Sequence, residues 1–226
     1  MGINLTKNRE FFDPTDVKKQ IHIIGCGSVG STLAELLARH GITNISLYDF
    51  DVVSAHNIAN QMFNDEDIGK QKVVAVKEMI ERINPSAKKT ISIYEKGWTE
   101  DVSLSGYVFL CVDDIELRKK IAEKNKFNQT IKVMFDFRTR LTDAQHFACE
   151  WNNIKDINAF IETMNFTNEE AKKLTPVTAC QVEMGVPETV RIIVTYGVCN
   201  FINYTKNLPL KKIVLIDAFR FDTETF

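Results

Sequence analysis

The sequence lacks most of what marks a specialised scaffold. Its 226 residues include five cysteines (Cys26, Cys111, Cys149, Cys180 and Cys199), an odd number, spread out and without a CxxC pair. That argues against a disulfide framework and against a four-cysteine zinc site. Prolines number only 5 and glycines 10, and no repeat, low-complexity tract or Gly/Ser linker breaks the chain. No apolar run approaches the roughly 18 residues of a membrane span. The opening stretch MGINLTKNREFFDP has no apolar segment of signal-peptide length. Charge of one sign is not in excess either: 28 Lys and Arg face 30 Asp and Glu, a net of −2. A chain built to neutralise a nucleic-acid backbone would be strongly basic. The expectation is a cytoplasmic globular protein with no membrane and no nucleic-acid partner.

What is present is an ordinary core-forming mixture, 44% hydrophobic, long enough to bury a core without staples. Residues 1–20 are polar and mixed and read as an N-terminal arm; residues 21–226 read as one domain. Ile21 to Ile24 is a short apolar strand running into Gly25. Ser28 to His40 follows as a helix, with Leu33, Leu36 and Leu37 on one face and Gly41 at its C-terminal end. Ile45 to Tyr48 is a second strand, and Lys70 to Ile83 a helix stopped by Asn84-Pro85. Strands are expected from Ile91, over Tyr107–Val112, Val133–Phe137 and His146–Trp151, with a basic helix over Glu116–Lys126. Thr167 and Glu170 form a capping box for a short helix ending near Leu174. Residues 175 to 187 read as a loop. Glu188 to Asn203 is apolar enough for a buried helix but rich in β-branched residues. A final strand starts at Lys211. Strands alternating with helices predict an α/β fold: a Rossmann-like, doubly wound, mostly parallel sheet with helices on both faces and a C-terminal strand–helix–strand extension. In such folds ligands sit at the carboxyl ends of the strands, which places Asp49, Asp113 and Asp136 on one rim.

Two stretches carry chemistry. Gly25-Cys26-Gly27-Ser28-Val29-Gly30 is a GxGxxG that follows a strand and opens a helix. Its glycines permit a tight turn and close backbone approach, and the helix N-terminus offers free N–H groups to a phosphate. Asp49 ends the next strand, where a carboxylate accepts from ribose hydroxyls. A nucleotide is the expected ligand. The second stretch runs Asp49-Phe50-Asp51-Val52-Val53-Ser54-Ala55-His56-Asn57-Ile58-Ala59-Asn60-Gln61, then Asp67-Ile68-Gly69-Lys70-Gln71-Lys72, then Ile83-Asn84-Pro85, with Asp113-Asp114 and Arg118 a strand later.

Over roughly residues 9 to 140 this order and spacing resembles the superfamily of ubiquitin-activating enzymes and their bacterial relatives ThiF, MoeB and HesA. Their pattern is a glycine loop, D-x-D-x-V-x-x-S-N-L-N-R-Q, I-G-x-x-K, I-N-P and D-N-x-x-x-R. The resemblance implies ATP- and Mg²⁺-dependent adenylation of a carboxylate, that of the C-terminus of a small ubiquitin-like or sulfur-carrier protein, by a homodimer. Carried over by position, Gly25, Gly27, Ser28, Gly30, Asp49, Asp51, Asn57, Asn60, Gln61 and Lys72 would form the nucleotide site. Asp113 would hold the magnesium, and Asp113 and Lys72 would be catalytic. Arg9 falls where relatives place an arginine that reaches into the partner subunit's site. The segment 140–187 would form the substrate groove.

The chain departs from the pattern in three places. Ala59-Asn60 stands where the family has asparagine-arginine, and asparagine cannot carry the arginine's charge. The family's zinc cysteines are missing, so no zinc is expected. No catalytic-cysteine motif appears; Cys180, in the loop, is the candidate for a thioester. Cys26, Cys111 and Cys199 read as packing, His40 as a cation at a helix C-terminus, and Arg118 as a structural ion-pair partner. Either Asp113 or Asp114 could cap the helix that follows them. Two other readings stay open: a nucleotide-binding partner subunit with weak or no activity, and an NAD-dependent oxidoreductase, which leaves Lys72 and Asp113 without roles.

Overall fold

Nearly every residue of the first strand is apolar, as befits a strand covered on both faces. In the computed structural model, which describes residues 2–174, 176 and 184–226, β1 (Ile21–Ile24) and β2 (Ile45–Tyr48) are buried along their whole length. They join β3 (Ser92–Tyr94), β4 (Gly106–Leu110), β5 (Ile131–Thr139), β6 (Asp143–Glu150), β7 (Ile213–Asp217) and β8 (Asp222–Thr225) in one eight-stranded sheet, ordered β3-β2-β1-β4-β5-β6-β7-β8. Pairing is parallel from β3 to β5 and antiparallel from β5 to β8. The Rossmann-like α/β class expected from the sequence is the one observed.

Alternation of side chains along the strands splits the core into two layers. Ile21, Ile23 and Phe109 point to one face, where they meet α1 (Ser28–Arg39), α2 (Lys72–Ile83) and α6 (Pro187–Thr205) through Leu33, Val76 and Ile193. Ile24, Val108 and Leu110 point to the other, against α3 (Ile115–Lys124) and α4 (Ile154–Glu162) through Ile121, Ile157 and Phe160. α5 (Asn168–Leu174) is capped by the reciprocal Thr167–Glu170 bonds. The β-branched segment after Glu188 is indeed helical: burial of Val190, Ile193, Val194 and Val198 outweighs their weak preference against helix. Phe12 and Val17 are buried in the main core, so residues 2–20 pack onto the domain.

Three expectations are corrected. The single strand from Lys211 is a hairpin, β7 and β8, turned through residues 218–221 with Phe221 at φ 62°. Asp136 is not at the rim: β5 runs three residues beyond it to pair with β6, and its side chain is fully buried. Cys199 is exposed on α6 rather than packed.

Candidate functional site

The chain runs outward from β1 through β2 to β3, then returns to lay β4 against the other side of β1. Between β1 and β4 the direction of winding reverses, the point where ligands bind in folds of this kind, and the loops that follow the two strands meet there. They abut closely: a Cβ on Gly25, whose φ is +98°, would lie 2.7 Å from the backbone of Cys111 and Val112. A Cβ on Gly30 would lie 1.9 Å from the Gly25 carbonyl oxygen. Gly27 is different, since nothing lies within 4 Å of its Cβ position. It is the N-cap of α1 and provides no side-chain cap bond. The first amides of α1 are thus left beside open space, the arrangement that suits a phosphate group.

Asp49 stands next to this loop. Its Oδ2 accepts from the Cys26 amide at 2.6 Å and its Oδ1 from the Asp51 amide at 2.8 Å. Burial holds its carboxyl above the ordinary value, and those two amides pull against that shift. Beyond Asp49 the backbone doubles back on itself: Lys72 N donates to Asp51 O, Val53 N to Lys70 O, and Gly69 N to Val53 O. This clasp brings Lys72, the first residue of α2, onto Asp51 with Nζ–Oδ2 at 2.7 Å. The lysine is buried and the aspartate half exposed, so Lys72 is no solvated surface residue.

Asn57 is buried and its Oδ1 accepts from the amide and hydroxyl of Ser54, which leaves the amide NH₂ as its remaining donor group. Asn60, Gln61 and Gln71 each carry a buried side-chain oxygen without a partner. Such amides can present either oxygen or NH₂ to an incoming group. Met62 N donates to Ser31 Oγ at 3.1 Å, which pins this turn to α1 one residue past Gly30.

In the loop after β4, Asp114 is the residue that caps α3: it accepts from Leu117 N at 2.9 Å and from Asn168 Nδ2 at 2.9 Å. Asp113 takes no part in the cap and is exposed. Arg118 lies behind them, where it donates to the Val112 carbonyl and to Asp136 Oδ1 at 2.6 Å, the structural ion pair expected of it. Arg138 binds the other Asp136 oxygen at 2.7 Å and reaches on to the Thr163 carbonyl and hydroxyl. Sequence reading missed Arg138; a second arginine two residues from an aspartate in one strand was the available signal.

The remaining candidates divide. Arg9 is exposed on the N-terminal segment and pairs with Asp13 at 3.2 Å. Cys180 lies outside the described residues. Burial raises the thiols of Cys26 and Cys111, and holds that of Cys149 up at about 12, so none of the three is a ready nucleophile. His40 is corrected: it is half-buried edge-on against Phe12, and burial lowers its pKa, so the cationic role at the helix end is not favoured. Among the described residues no group of three or more His, Cys, Asp or Glu could hold a metal alone. A lone exposed carboxylate on the loop that abuts the glycine loop does fit Mg²⁺, which takes one or two protein carboxylates together with substrate phosphates.

Comparison with known proteins identifies the family and the fold. The model of the ThiF family matches residues 17–212. Over 114 residues the chain is 33% identical to ubiquitin-like modifier-activating enzyme 5 of Dictyostelium discoideum, covering 44% of this chain and 30% of the relative. Over 103 residues it is 32% identical to the molybdopterin-synthase adenylyltransferase of Haemophilus influenzae, covering 44% of this chain and 42% of the relative. The match thus spans less than half the length of either relative. Among solved structures, PaaA superposes with a TM-score of 0.70 at 17% identity, and Escherichia coli MccB with ATP with a TM-score of 0.69 at 16% identity. Each covers 94% of this chain and 65% of the other, a likeness of fold.

Proposed function

Because the chain belongs to the ThiF family, we propose that it is an adenylyltransferase that uses ATP and Mg²⁺ to activate the C-terminal carboxylate of a small ubiquitin-like or sulfur-carrier protein. One observation carries the reading: the glycine loop abuts the loop after β4 that bears the exposed Asp113, and hydrogen bonds link it through Asp49 and Asp51 to the buried Lys72. An oxidoreductase has no use for Asp113 and Lys72.

The chemistry asks mainly for positioning and charge. A carboxylate oxygen of the acceptor attacks the α-phosphorus. A new acyl–phosphate bond forms, the bond from the α-phosphorus to the bridging oxygen breaks, and pyrophosphate leaves with that electron pair. Asp49 accepts from the ribose hydroxyls. The amides at the start of α1, with the NH₂ groups of Asn57, Asn60 and Gln61, orient the phosphates. Lys72, prealigned by Asp51, places its ammonium beside them. Mg²⁺ held by Asp113 would neutralise phosphate oxygens and ease departure of the leaving group. The acceptor tail would enter along residues 140–187, of which 175 and 177–183 lie outside the described residues; α5 in that segment is tied to the Asp113 loop by Asn168. A homodimer would let Arg9 serve the partner subunit's site; Cys180 is the residue for any later thioester. The setting is cytoplasmic.

Exchange of labelled pyrophosphate into ATP, with candidate carrier proteins added, tests this reading. Exchange that depends on one carrier supports it; ATP binding without exchange for any carrier would favour the weak or inactive partner subunit, the reading that Asn60 suggests. A thermal shift with NAD but not with ATP would point to the oxidoreductase.

A further inference from the structure

Charge around the candidate phosphate site does not balance. Asp49, Asp51 and Asp113 bring three carboxylates, while Lys72 brings one cation and is already bonded to Asp51. A triphosphate adds further negative charge, which a single Mg²⁺ offsets only in part. Other cations nearby are committed: Lys70 to Asp67 and Glu78, and Arg118 to Asp136.

Arg191 is the exception. It lies in the second turn of α6, exposed, with Nη2 4.0 Å from Met62 Sδ and with no carboxylate within ion-pair distance among the described residues. Met62 is two residues from Asn60 and is fastened to Ser31 beside the glycine loop. Helical side chains lean toward the helix N-terminus. For α6 that is the direction of Gly185, whose Cβ position lies 3.7 Å from the Asn60 amide nitrogen. The guanidinium therefore lies against Met62, at the end of the turn Asn57–Met62 and two residues along the chain from Asn60.

We propose that Arg191 contacts the β- and γ-phosphates of ATP and stabilises the departing pyrophosphate, supplying from α6 the charge that Asn60 cannot. This rests on the adenylation reading above. A planar fork of donors matches phosphate oxygens two at a time, which a lysine cannot do.

Equilibrium binding of ATP and of AMP, measured in the presence of Mg²⁺ on the full chain, tests it. Arg191→Ala should weaken ATP by about tenfold to a hundredfold, the range for a charge-assisted contact, and leave AMP unchanged, since AMP has no β- or γ-phosphate. Arg191→Lys should fall between. Adding Asn60→Arg to Arg191→Ala should restore most of the ATP affinity. Unchanged ATP binding by Arg191→Ala, equal loss of ATP and AMP, or no recovery with Asn60→Arg would each overturn the assignment. A parent chain that binds AMP and ATP equally would overturn it too. Failure of the parent to bind either nucleotide would sink the adenylation reading, and this inference with it.

Discussion

Gly27 and Gly30 sit three residues apart and answer to different demands. Gly30 is required by packing, because its Cβ would collide with a backbone oxygen that cannot move without opening the turn. Gly30→Ala should lower the melting temperature markedly, by an amount equivalent to about 1–3 kcal/mol or more. Gly27 meets no such obstruction. Gly27→Ala should melt near the parent temperature, yet bind ATP more weakly because a methyl group then stands where phosphate approaches. Adjacent aspartates divide in the same way. Asp114→Ala removes the α3 cap and should cost about 1 kcal/mol of stability with activity retained in part. Asp113→Ala should abolish adenylation and leave the denaturation curve where it was; surviving exchange activity would remove Asp113 from the metal site. The sequence made Asp49, Lys72 and the glycines legible because each belongs to a local motif. It could not separate Asp113 from Asp114, since the residue that decides between them, Asn168, comes from a helix more than fifty positions later.

At the level of elements, the Arg118–Asp136–Arg138 triad joins α3, β5 and the end of α4. Asp136 is wholly buried and both arginines nearly so. Arg138 also lies over the rings of Phe147 and Phe166. Asp136→Asn keeps the shape and removes the charge, which leaves two guanidinium groups facing one neutral amide. Breaking a buried pair in this way costs about 3–5 kcal/mol, and urea denaturation should show a loss of that size. From the sequence, Asp136 looked like a third carboxylate of the rim. The error has a physical origin: its strand was read as ending with the parallel half, whereas antiparallel pairing with β6 extends it past the aspartate. The β7–β8 hairpin was missed for a related reason, because its turn contains Ala218, Phe219 and Phe221 rather than the glycine, asparagine or proline that announce a turn.

For the whole molecule, two buried histidines contribute to the response to acid. His146 accepts at Nε2 from Asn200, so its Nδ1–H faces the Asp136 carbonyl; His22 accepts at Nε2 from Ser105 N and meets the Tyr48 hydroxyl at Nδ1. Both surroundings suit the neutral ring, and burial lowers each pKa from 6.5 to about 4. The unfolded chain then binds more protons than the folded one between those values. Stability should therefore be intact above pH 6.5 and fall as the pH drops toward about 4; urea midpoints measured across that window check it, and a flat profile would contradict the assignment. Asp49 works in the opposite sense, since its raised pKa favours the fold at lower pH. The parallel half of the sheet was legible because each strand and its helix are contiguous in sequence; the antiparallel half depends on distant partners. The order of the strands also has a consequence in time. β1 and β2 can pair early, but the loops after β1 and β4 do not meet until Ile21 finds Tyr107 and β4 closes on β1. Contacts so far apart along the chain form late. A nascent chain that has emerged only as far as α2 carries the glycine loop, Asp49 and Lys72, yet has no place for a nucleotide. The proposed nucleotide binding would thus serve as a sign that the central pairing has been completed, and the ligand would stabilise only chains that have reached that point.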